Sequence, residues 1–588
     1  MASSSLQFGG IGIAALAFAA ISSAQMTVTL TPSQPSPAPV ATMITWNASA
    51  PDSADGMIWF RFRVREVGGD FAMIRDYGPL ASLDWTASDH EGLYEMEVSA
   101  KNRQTGELAV ASSVYRMLSR LSPGGGPVIN PTPHPLVFLY SALCPGGSRM
   151  KVQFQAREGA IQETPYKACQ TGRSMNFYLA GLRSNTAYTA RHIVEDSGQL
   201  TTGPDILFGM SQDAPGLFTE TVIQPPAAGL SSPILLGSSL AGAVAHDLDG
   251  NVIWYTNNGI YTVTRPEDGG YFWGTIESQL FDTSGQVIRK FDLVGMTVLE
   301  TNAARVNEQL AAMGRRPITG FHHEARTLPD GSIAALAGVE QMLTDVQGPG
   351  PVDVLGDMIV VLDSDLNVIW TWDTFDHLDV TRKAVLGEIC GPVSACAPFY
   401  LGKNANDWTH GNAIQQTPDG ELLYSARHQD WLIKVSYQNG KGDGHVIWRL
   451  GKGGDFQFNS SDTWPWFSHQ HDANIEFSDP SALMVFDNGN TRVASIGGHS
   501  RGQVLKLDEK NRSASFILNA DLGVYSLAVG SAQLLPDHNY HFDAGFVPQG
   551  KGVAYSIEVD GSGRAVYEAK SNAILYRTFR MTSMYSPN

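Results

Sequence analysis

Three segments of the chain carry histidines in settings that suit nucleophilic or acid–base chemistry. They read Phe321-His-His-Glu-Ala-Arg326, Asp407-Trp-Thr-His-Gly-Asn412 and Ser468-His-Gln-His-Asp-Ala-Asn474. In the first and third, His323 and His471 are each followed by an acidic residue and an alanine. Neutral imidazole acts as a nucleophile or general base near pH 7. The matched positions predict that His323, His410 and His471 converge on one site.

An arginine completes the set. Arg427 ends the apolar stretch after the His410 segment, in Tyr424-Ser-Ala-Arg427. A guanidinium group offers paired donors that match sulfate or phosphate oxygens. The four residues therefore predict a catalytic site that holds and attacks an anionic group. Additional substrate contacts are expected from three neighbours of these residues, namely His322, Asn412 and Trp408. Strand alternation gives His322 the weaker claim, because it faces His322 away from His323.

Two other functions use the same residues. His469-Gln-His471-Asp is a string of the kind found in metal-dependent hydrolases, and His323 and His410 are available as further ligands. A non-catalytic protein that binds anionic aromatic ligands or glycans is the other alternative. The His323-Glu324 pair is followed at +4 by Thr327, so it is not a zinc-protease motif, and the sequence has no phosphate-binding P-loop. No metal or cofactor is expected.

A repeat in residues 230–588 predicts the fold that positions these segments. Its unit is an apolar strand, a polar turn and a second strand that often reads Val-Ile-Trp. The six copies are Asp247–Trp254, Phe281–Arg289, Leu362–Trp370, Gly444–Trp448, Leu507–Ile517 and Val559–Val566. A second turn element occurs at Asp268-Gly269, Pro329–Gly331, Pro418–Gly420, Asp479-Pro480 and Pro536-Asp537. Hairpins at this spacing predict an all-β, six-bladed β-propeller.

The chain before the repeat has the pattern of two β-sandwich modules. In residues 26–122, Ile58, Phe60, Phe62 and Val64 alternate with larger polar residues, as in a half-buried strand. A Pro- and Gly-rich linker follows, and residues 130–222 form the second predicted module. There, Leu182–Thr189 resembles the tyrosine corner of fibronectin-like sandwiches.

Composition and the N-terminus indicate the compartment and class of partner. Lys+Arg total 40 against 58 Asp+Glu, a formal net charge of -18, which argues against a nucleic-acid partner. Residues 1–24 read as a signal peptide, with an uncleaved anchor as the alternative. Four cysteines suggest the local pairs Cys144–Cys169 and Cys390–Cys396 among three connectivities. We expect a secreted or extracytoplasmic protein with no membrane contact after signal cleavage.

Several strings together resemble the bacterial arylsulfate sulfotransferase family. Between residues 320 and 490 the resembling strings are His322-His-Glu324 before Leu328-Pro-Asp-Gly, Asp407-Trp-Thr-His-Gly-Asn412, Ser425-Ala-Arg-His428, Ile447-Trp-Arg-Leu-Gly451, Gln470-His-Asp-Ala473 and Phe486-Asp-Asn-Gly-Asn490. They occur in the family's order. The segment from Cys390 to Cys396 also resembles the family's short disulfide loop.

The resemblance implies an exported six-bladed propeller that moves a sulfuryl group from a phenolic sulfate ester to a phenol. It implies no nucleotide donor (3'-phosphoadenylylsulfate) and a ping-pong cycle through a sulfohistidine. His471 would be the nucleophile, Arg427 and His410 would bind sulfuryl oxygens, and His323 or His322 would assist. The family has one sandwich module where two are predicted here. Asp472, directly after His471, could change the basicity of the nucleophile.

Overall fold

The protein is all-β, as predicted. The computed structural model describes residues 1, 26–50, 57–209, 217–239, 242–257, 261–277, 281–391 and 396–587. Strands account for 51% of the chain and helices for 4%. The predicted signal peptide, apart from Met1, lies outside the described residues. No helix in the described part of the chain is long and apolar enough to cross a membrane.

Residues 26–122 fold into two packed sheets. Their strands are β1 (Thr29–Pro32), β2 (Ala38–Pro39), β3 (Ile44–Ser49), β4 (Ile58–Glu66), β5 (Ala72–Gly78), β6 (Ser82–Trp85), β7 (Gly92–Asn102) and β8 (Leu108–Leu118). One sheet has the order β1-β3-β6 and the other contains β2-β8-β7-β4-β5. Trp46, Phe62 and Val98 are buried between them. The alternation in β4 therefore places its apolar side chains in this core.

The next segment also forms two sheets. Its strands are β9 (Val128–Pro131), β10 (Phe138–Leu143), β11 (Arg149–Ala156), β12 (Gln162–Glu163), β13 (Lys167–Ala168), β14 (Ser174–Leu179), β15 (Ala187–Asp196), β16 (Gln199–Thr202) and β17 (Ile206–Gly209). The backbone N–H of Arg183 donates to the Tyr188 hydroxyl at 2.8 Å, as in a tyrosine corner. The predicted Cys144–Cys169 disulfide is present.

The rest of the described chain contains six sheets, named here sheets I to VI, each with a core of four antiparallel strands. Their strands are β18 (Glu220–Gln224), β19 (Ile234–Ser239), β20 (Gly242–Asp247), β21 (Val252–Tyr255), β22 (Val263–Glu267), β23 (Tyr271–Ile276), β24 (Val287–Asp292), β25 (Thr297–Asn302), β26 (Gly320–Thr327), β27 (Ile333–Thr344), β28 (Pro351–Leu362), β29 (Val368–Asp373), β30 (Ile389–Cys390), β31 (Ala405–Asp407), β32 (Gly411–Gln416), β33 (Leu422–Ala426), β34 (Trp431–Val435), β35 (Val446–Gly451), β36 (Gln457–Phe458), β37 (His471–Ile475), β38 (Ala482–Asp487), β39 (Arg501–Asp508), β40 (Ser513–Asp521), β41 (Ser531–Leu534), β42 (Tyr540–Val547), β43 (Val553–Val559), β44 (Ala565–Ser571) and β45 (Arg577–Met581). The helices are α1 (Ala303–Ala312), α2 (Thr374–His377) and α3 (Asn490–Ile496), with a 3-10 turn at Arg427–Gln429.

Sheet I has the strand order β45-β19-β20-β21, and sheet II contains β22 to β25. Sheets III to VI are built on β26–β29, β32–β35, β37–β40 and β41–β44. The two chain ends exchange strands, because β18 pairs with β44 of sheet VI and the C-terminal β45 pairs with β19 of sheet I. Apolar side chains fill the space between successive sheets from II to VI.

The two repeated turn elements occupy fixed places in these sheets. Each described copy of the Asp-Gly or Pro-Asp element joins the first and second strands of sheets II to VI. The Val-Ile-Trp unit joins the last two strands of five sheets, and its Phe281–Arg289 copy precedes β24 in sheet II instead. The sequence repeat therefore marks strand connections that are present in the structure. Sheet II also continues into the N-terminal sheet, through the pairing of β25 with β5.

Candidate active site

The three histidine segments lie at the starts of the first strands of sheets III, IV and V. A bulge shifts the register in each of these strands, between Phe321 and Ala325 in β26, Gly411 and Ala413 in β32, and His471 and Asn474 in β37. His323, His410 and Asp472 have positive φ angles of 57°, 48° and 48°. A left-handed backbone at a bulge re-aims side chains, and such strain clusters at functional sites.

His471 is buried and its imidazole is oriented by one amide. Its Nδ1 lies 2.7 Å from Oδ1 of Asn488. The Asn488 Nδ2 group donates to the carbonyls of Ser526 and Val529, both at 3.0 Å. Those two bonds fix the amide so that its oxygen faces His471, which must then donate through Nδ1–H. Burial and the positive charge of Arg427 hold the pKa of His471 well below its usual range. The imidazole is therefore neutral, with a lone pair on Nε2.

His323 and His322 form a connected pair behind the site. Their Nδ1 atoms are 2.8 Å apart, and Nε2 of His322 lies 3.0 Å from Oδ1 of Asp357. Burial lowers the pKa of His322, but the hydrogen bond and charge of Asp357 outweigh it and raise that pKa overall. Burial and the charge of His322 hold the pKa of His323 well below the usual value. A protonated His322 thus donates to a neutral His323, whose proton sits on Nε2.

His410 stands between His323 and a further histidine. Its ring centroid is 4.9 Å from that of His323 and 4.5 Å from that of His428, on which it stacks. Nδ1 of His410 lies 2.7 Å from Oδ2 of Asp407. Nδ1 of His428 lies 2.7 Å from the Asp407 carbonyl, so His428 donates there. This leaves Nε2 of His428 as an acceptor.

Arg427 donates a hydrogen bond to Nε2 of His428 and has no ion-pair partner among the described residues. Its Nη1 donates to Nε2 of His428 at 2.5 Å. Within the described ranges no carboxylate oxygen lies within 4.0 Å of its guanidinium nitrogens, and its Nε has no hydrogen-bond partner. The residue is 9% exposed. A buried guanidinium without an anion is costly, so this arrangement favours binding of an anionic group.

His469 is turned to a different environment from His471. It forms an ion pair with Glu388 through Nε2, and its Nδ1 lies 3.0 Å from Oδ1 of Asp430. Burial lowers the pKa of His469, but the two carboxylates outweigh burial and raise it. His469 therefore ties the segment carrying Glu388 to the turn after Arg427.

The acidic residues that follow His323 and His471 meet at one arginine. Arg577 Nη1 lies 2.6 Å from Glu324 and 3.3 Å from Asp472, and its Nη2 donates to the Asn412 carbonyl at 2.9 Å. Arg577 thus links the three histidine-bearing strands below the imidazoles. The neighbouring Tyr576 presents its ring 5.3 Å from that of His323 and 6.4 Å from that of His471.

The family model described as Arylsulfotransferase (ASST) matches residues 219–577, more than half of the chain. The chain belongs to the arylsulfotransferase family. No curated protein matches it. A solved structure described as the selenomethionine-substituted chicken interferon gamma receptor alpha chain aligns at 10% identity and a TM-score of 0.13. That alignment covers 32% of this chain and 97% of the receptor chain, and it carries no argument about this arylsulfotransferase.

The other two predicted substrate-binding residues lie in different settings. Asn412 is buried beside the arylsulfotransferase site, donates through Nδ2 to the Gln470 carbonyl at 2.7 Å, and has no partner for Oδ1. Trp408 is turned away: its Nε1 donates to the Arg382 carbonyl at 2.8 Å and its ring packs 5.2 Å from that of Phe375. The predicted Cys390–Cys396 disulfide is present.

Three clusters in the described part of the chain have side chains close enough to share a metal ion. They are Glu388, His428 and His469; Asp407, His410 and His428; and Cys390, Cys396 and Asp407. The last contains both sulfurs of a disulfide, and the first two contain His428, whose Nε2 already accepts from the Arg427 guanidinium. His471 and His323 belong to none of the three. The predicted His469-Gln-His471-Asp string therefore does not form a shared set of ligand atoms.

Four residues of this candidate site were missed by the sequence reasoning. Asn488 and His428 lie inside strings that carry the family resemblance, but neither string shows a contact. Asp357 and Arg577 lie on β28 and β45, outside every quoted motif. Only the three-dimensional pairing brings them to the histidines.

Proposed function

We propose that the protein is an aryl sulfotransferase that works without a nucleotide donor, through a sulfohistidine at His471. Nε2 of His471 attacks the sulfur of a phenolic sulfate ester, and the bond from sulfur to the phenolic oxygen breaks. The first phenol leaves with a proton from the site. The oxygen of a second phenol then attacks the same sulfur, the N–S bond breaks, and the proton of that phenol returns to the site.

The observation that carries this proposal is the state of His471. Its Nδ1–H is committed to Asn488, whose amide is fixed by two backbone carbonyls. The lowered pKa keeps the ring neutral. A neutral imidazole with a free Nε2 is a nucleophile that needs no separate base. The fixed Nδ1–H also stabilises the positive charge that develops on the ring during the attack.

Arg427 supplies the anion-binding half of the reaction. Nη1 of its guanidinium donates to His428, and its Nε has no hydrogen-bond partner among the described residues. The Nε and Nη2 edge of the guanidinium remains to match two sulfuryl oxygens, and the charge offsets that of the transferred group. His410 lies beside it, with Nδ1 held by Asp407, and it would donate from Nε2 to a third oxygen when its ring carries both protons.

The pair of His322 and His323 suits protonation of the departing phenolate. His323 presents Nε2–H, and its Nδ1 accepts from His322. When His323 gives its Nε2 proton to the leaving oxygen, Nδ1 of His323 takes up the Nδ1 proton of His322. Asp357 stabilises the charged form of His322 before this step. The second half-reaction runs the relay in reverse, so acid and base are the same pair. Both histidines therefore take part, His323 in contact with substrate and His322 behind it.

The proposed fold is a six-bladed propeller of sheets I to VI with two sandwich modules before it. The strand exchange of β18 and β45 would close the ring. The first strands of blades III, IV and V would then point their histidines at the central axis, where Arg577 links them. The two disulfides and the signal-like N-terminus support export from the cytoplasm.

The test is nitrophenol release from p-nitrophenyl sulfate with phenol as acceptor, with no nucleotide present and a chelator added. Turnover and formation of phenyl sulfate are the expected result. Mass spectrometry of the intact protein, after donor without acceptor, should show one added sulfuryl group that maps to His471. Absence of transfer to any phenol tried, with tight binding of the donor, would instead support the non-catalytic alternative.

Variants sharpen this test. His471→Ala should lower turnover by at least about a thousandfold, because the covalent route is lost. His445→Ala is the matched control. The side chain of His445 is 61% exposed and pairs with Asp443, which is not part of the proposed site. Loss of activity on chelation, with stoichiometric metal in the purified protein, would favour the metal-dependent hydrolase instead.

A further inference from the structure

A cavity of about 480 Å³ lies behind two of the catalytic segments. Its wall contains Trp408, two residues before His410, and Gln429, two residues after Arg427. The Gln429 side chain donates to the Trp408 carbonyl at 2.7 Å, so the two segments are bonded to each other at this wall. The volume is that of a cleft for a small organic ligand.

Three arginines and two carboxylates line the cavity. Arg449 is neutralised by Asp455, to which it donates from its backbone N–H, Nε and Nη2. Asp379 accepts from the backbone and hydroxyl of Thr381. The remaining lining arginines are Arg382 and Arg512. The cavity therefore has more guanidinium groups than carboxylates, although the chain as a whole carries a formal net charge of -18.

Neither of those two arginines has an ion-pair partner. Within the described ranges, no carboxylate oxygen lies within 4.0 Å of the guanidinium of Arg382 or Arg512. Arg382 donates to the side chain and carbonyl of Gln429 at 2.7 and 3.1 Å, and Arg512 donates to the Ile447 carbonyl at 3.1 Å. These bonds use Nε and Nη2 of Arg382 and leave its Nη1 as a donor for an anion in the cavity, while Nη1 of Arg512 is shielded from solvent.

The same wall is aromatic. The Arg382 guanidinium lies 3.8 Å from the centre of the Trp431 ring and that of Arg449 lies 5.2 Å from it. Guanidinium planes stack on aromatic rings, so a ligand ring can extend this arrangement over Arg382 or pack against Trp408. A carboxylate or sulfonate on that ring would then lie between the Arg382 and Arg512 guanidinium groups, which both line the cavity.

We propose that this cavity is a second binding site, specific for aromatic anions and separate from the sulfuryl site at Arg427. It does not depend on the proposed function, because its wall contains none of the groups assigned to sulfuryl transfer. An aromatic sulfonate is the suitable probe, since its carbon–sulfur bond is not an ester and cannot donate a sulfuryl group.

The experiment is calorimetric titration of the full protein with 1-naphthalenesulfonate. Arg427→Gln, which removes any binding at the sulfuryl site, should still bind one equivalent. In the Arg427→Gln background, Arg382→Gln and Arg512→Gln should each weaken the remaining site by at least about tenfold. Arg564→Gln, which removes an exposed charge elsewhere, is the matched control and should change nothing. Neutral 1-naphthol should bind this site at least about tenfold more weakly.

Retention of wild-type affinity in both Arg382→Gln and Arg512→Gln would overturn the proposal, as would equal binding of 1-naphthol. A crystal of the unmodified protein soaked in 1-naphthalenesulfonate gives a result that does not depend on folding of the variants. Density between Arg382 and Arg512 is expected there, and density at Arg427 alone would refute the second site. Absence of catalysis would count against the sulfotransferase proposal only.

Discussion

Asn488 holds the imidazole of His471 in a single tautomer. The Nδ1–Oδ1 distance is 2.7 Å, and the amide cannot turn over without breaking its two bonds to backbone carbonyls. A neutral amide orients the ring without adding charge. A carboxylate in its place would still accept from Nδ1–H and would stabilise the imidazolium form, but it would lose the two bonds that Asn488 donates to the Ser526 and Val529 carbonyls.

The first prediction follows from this difference. Asn488→Asp should raise the pKa of His471 by about one to two units, the value of one charge-assisted hydrogen bond. Because the neutral ring is the nucleophile, the acid limb of the kcat/KM profile should move to higher pH by that amount. Turnover should fall on the acid side of the profile and recover as the pH rises above the shifted limb. The pH profile of p-nitrophenyl sulfate turnover measures the shift.

Asn490→Ala is the control for that substitution. Asn490 is also buried and donates to a nearby carbonyl, that of Leu527, but it does not bond to His471. Its profile should keep the wild-type acid limb even if stability falls. A loss of activity in Asn488→Asp that is equal at every pH would contradict the tautomer argument.

The repeat was the part of the fold that sequence could predict best. Turn residues have local causes, so the Asp-Gly and Val-Ile-Trp elements marked the correct hairpins. The strand exchange at the chain ends has no local signature, because β45 pairs with a strand more than 300 residues earlier. Pairing the four cysteines by their proximity in sequence predicted two disulfides, and both are present.

The site shows where reasoning from strand alternation fails. His322 was expected to face away from His323, yet their Nδ1 atoms are 2.8 Å apart. The bulge in β26, with His323 at a φ of 57°, interrupts the period of two. The sequence left open whether Asp472 changes the basicity of His471. In the structure its carboxylate is bound by Arg577, an arginine 105 positions further along the chain that lies in none of the quoted motifs.

A second prediction concerns that arginine. Arg577→Met leaves the buried carboxylates of Glu324 and Asp472 without their shared partner, so it should cost about 3–5 kcal/mol of stability. Thermal unfolding measures the loss. Adding Glu324→Gln and Asp472→Asn to Arg577→Met should restore part of the melting temperature, because the unpaired charges are then gone. Arg564→Met, at an exposed ion pair, should leave the melting temperature unchanged. Failure of the added substitutions to restore any stability would mean that Arg577 acts through packing alone.

A third prediction tests the relay behind His323. His322→Gln removes the proton reservoir while leaving His323 in place, so protonation of the leaving phenolate should slow by about 10–100-fold. The loss should be large with phenyl sulfate, whose phenolate needs the proton, and small with p-nitrophenyl sulfate, whose leaving group is stable without it. The ratio of kcat/KM for the two donors is the measurement. Equal losses for both donors would show that His322 is structural.

The last prediction concerns a buried carboxyl group outside the proposed histidine site. Glu220 lies on the exchanged strand β18, neither of its carboxylate oxygens has a hydrogen-bond partner among the described residues, and burial raises its pKa to about 8. Its folded-state pKa lies above the unfolded value, so this group stabilises the fold fully only below about pH 4.5. That stabilisation is lost as the pH rises towards 8.

Glu220→Gln removes the titration and should raise the melting temperature at pH 8 while changing it little at pH 4.5. Glu158→Gln, at an exposed position, should have no effect at either pH. If Glu220→Gln shifted the melting temperature equally at both pH values, ionisation of Glu220 would not be the cause.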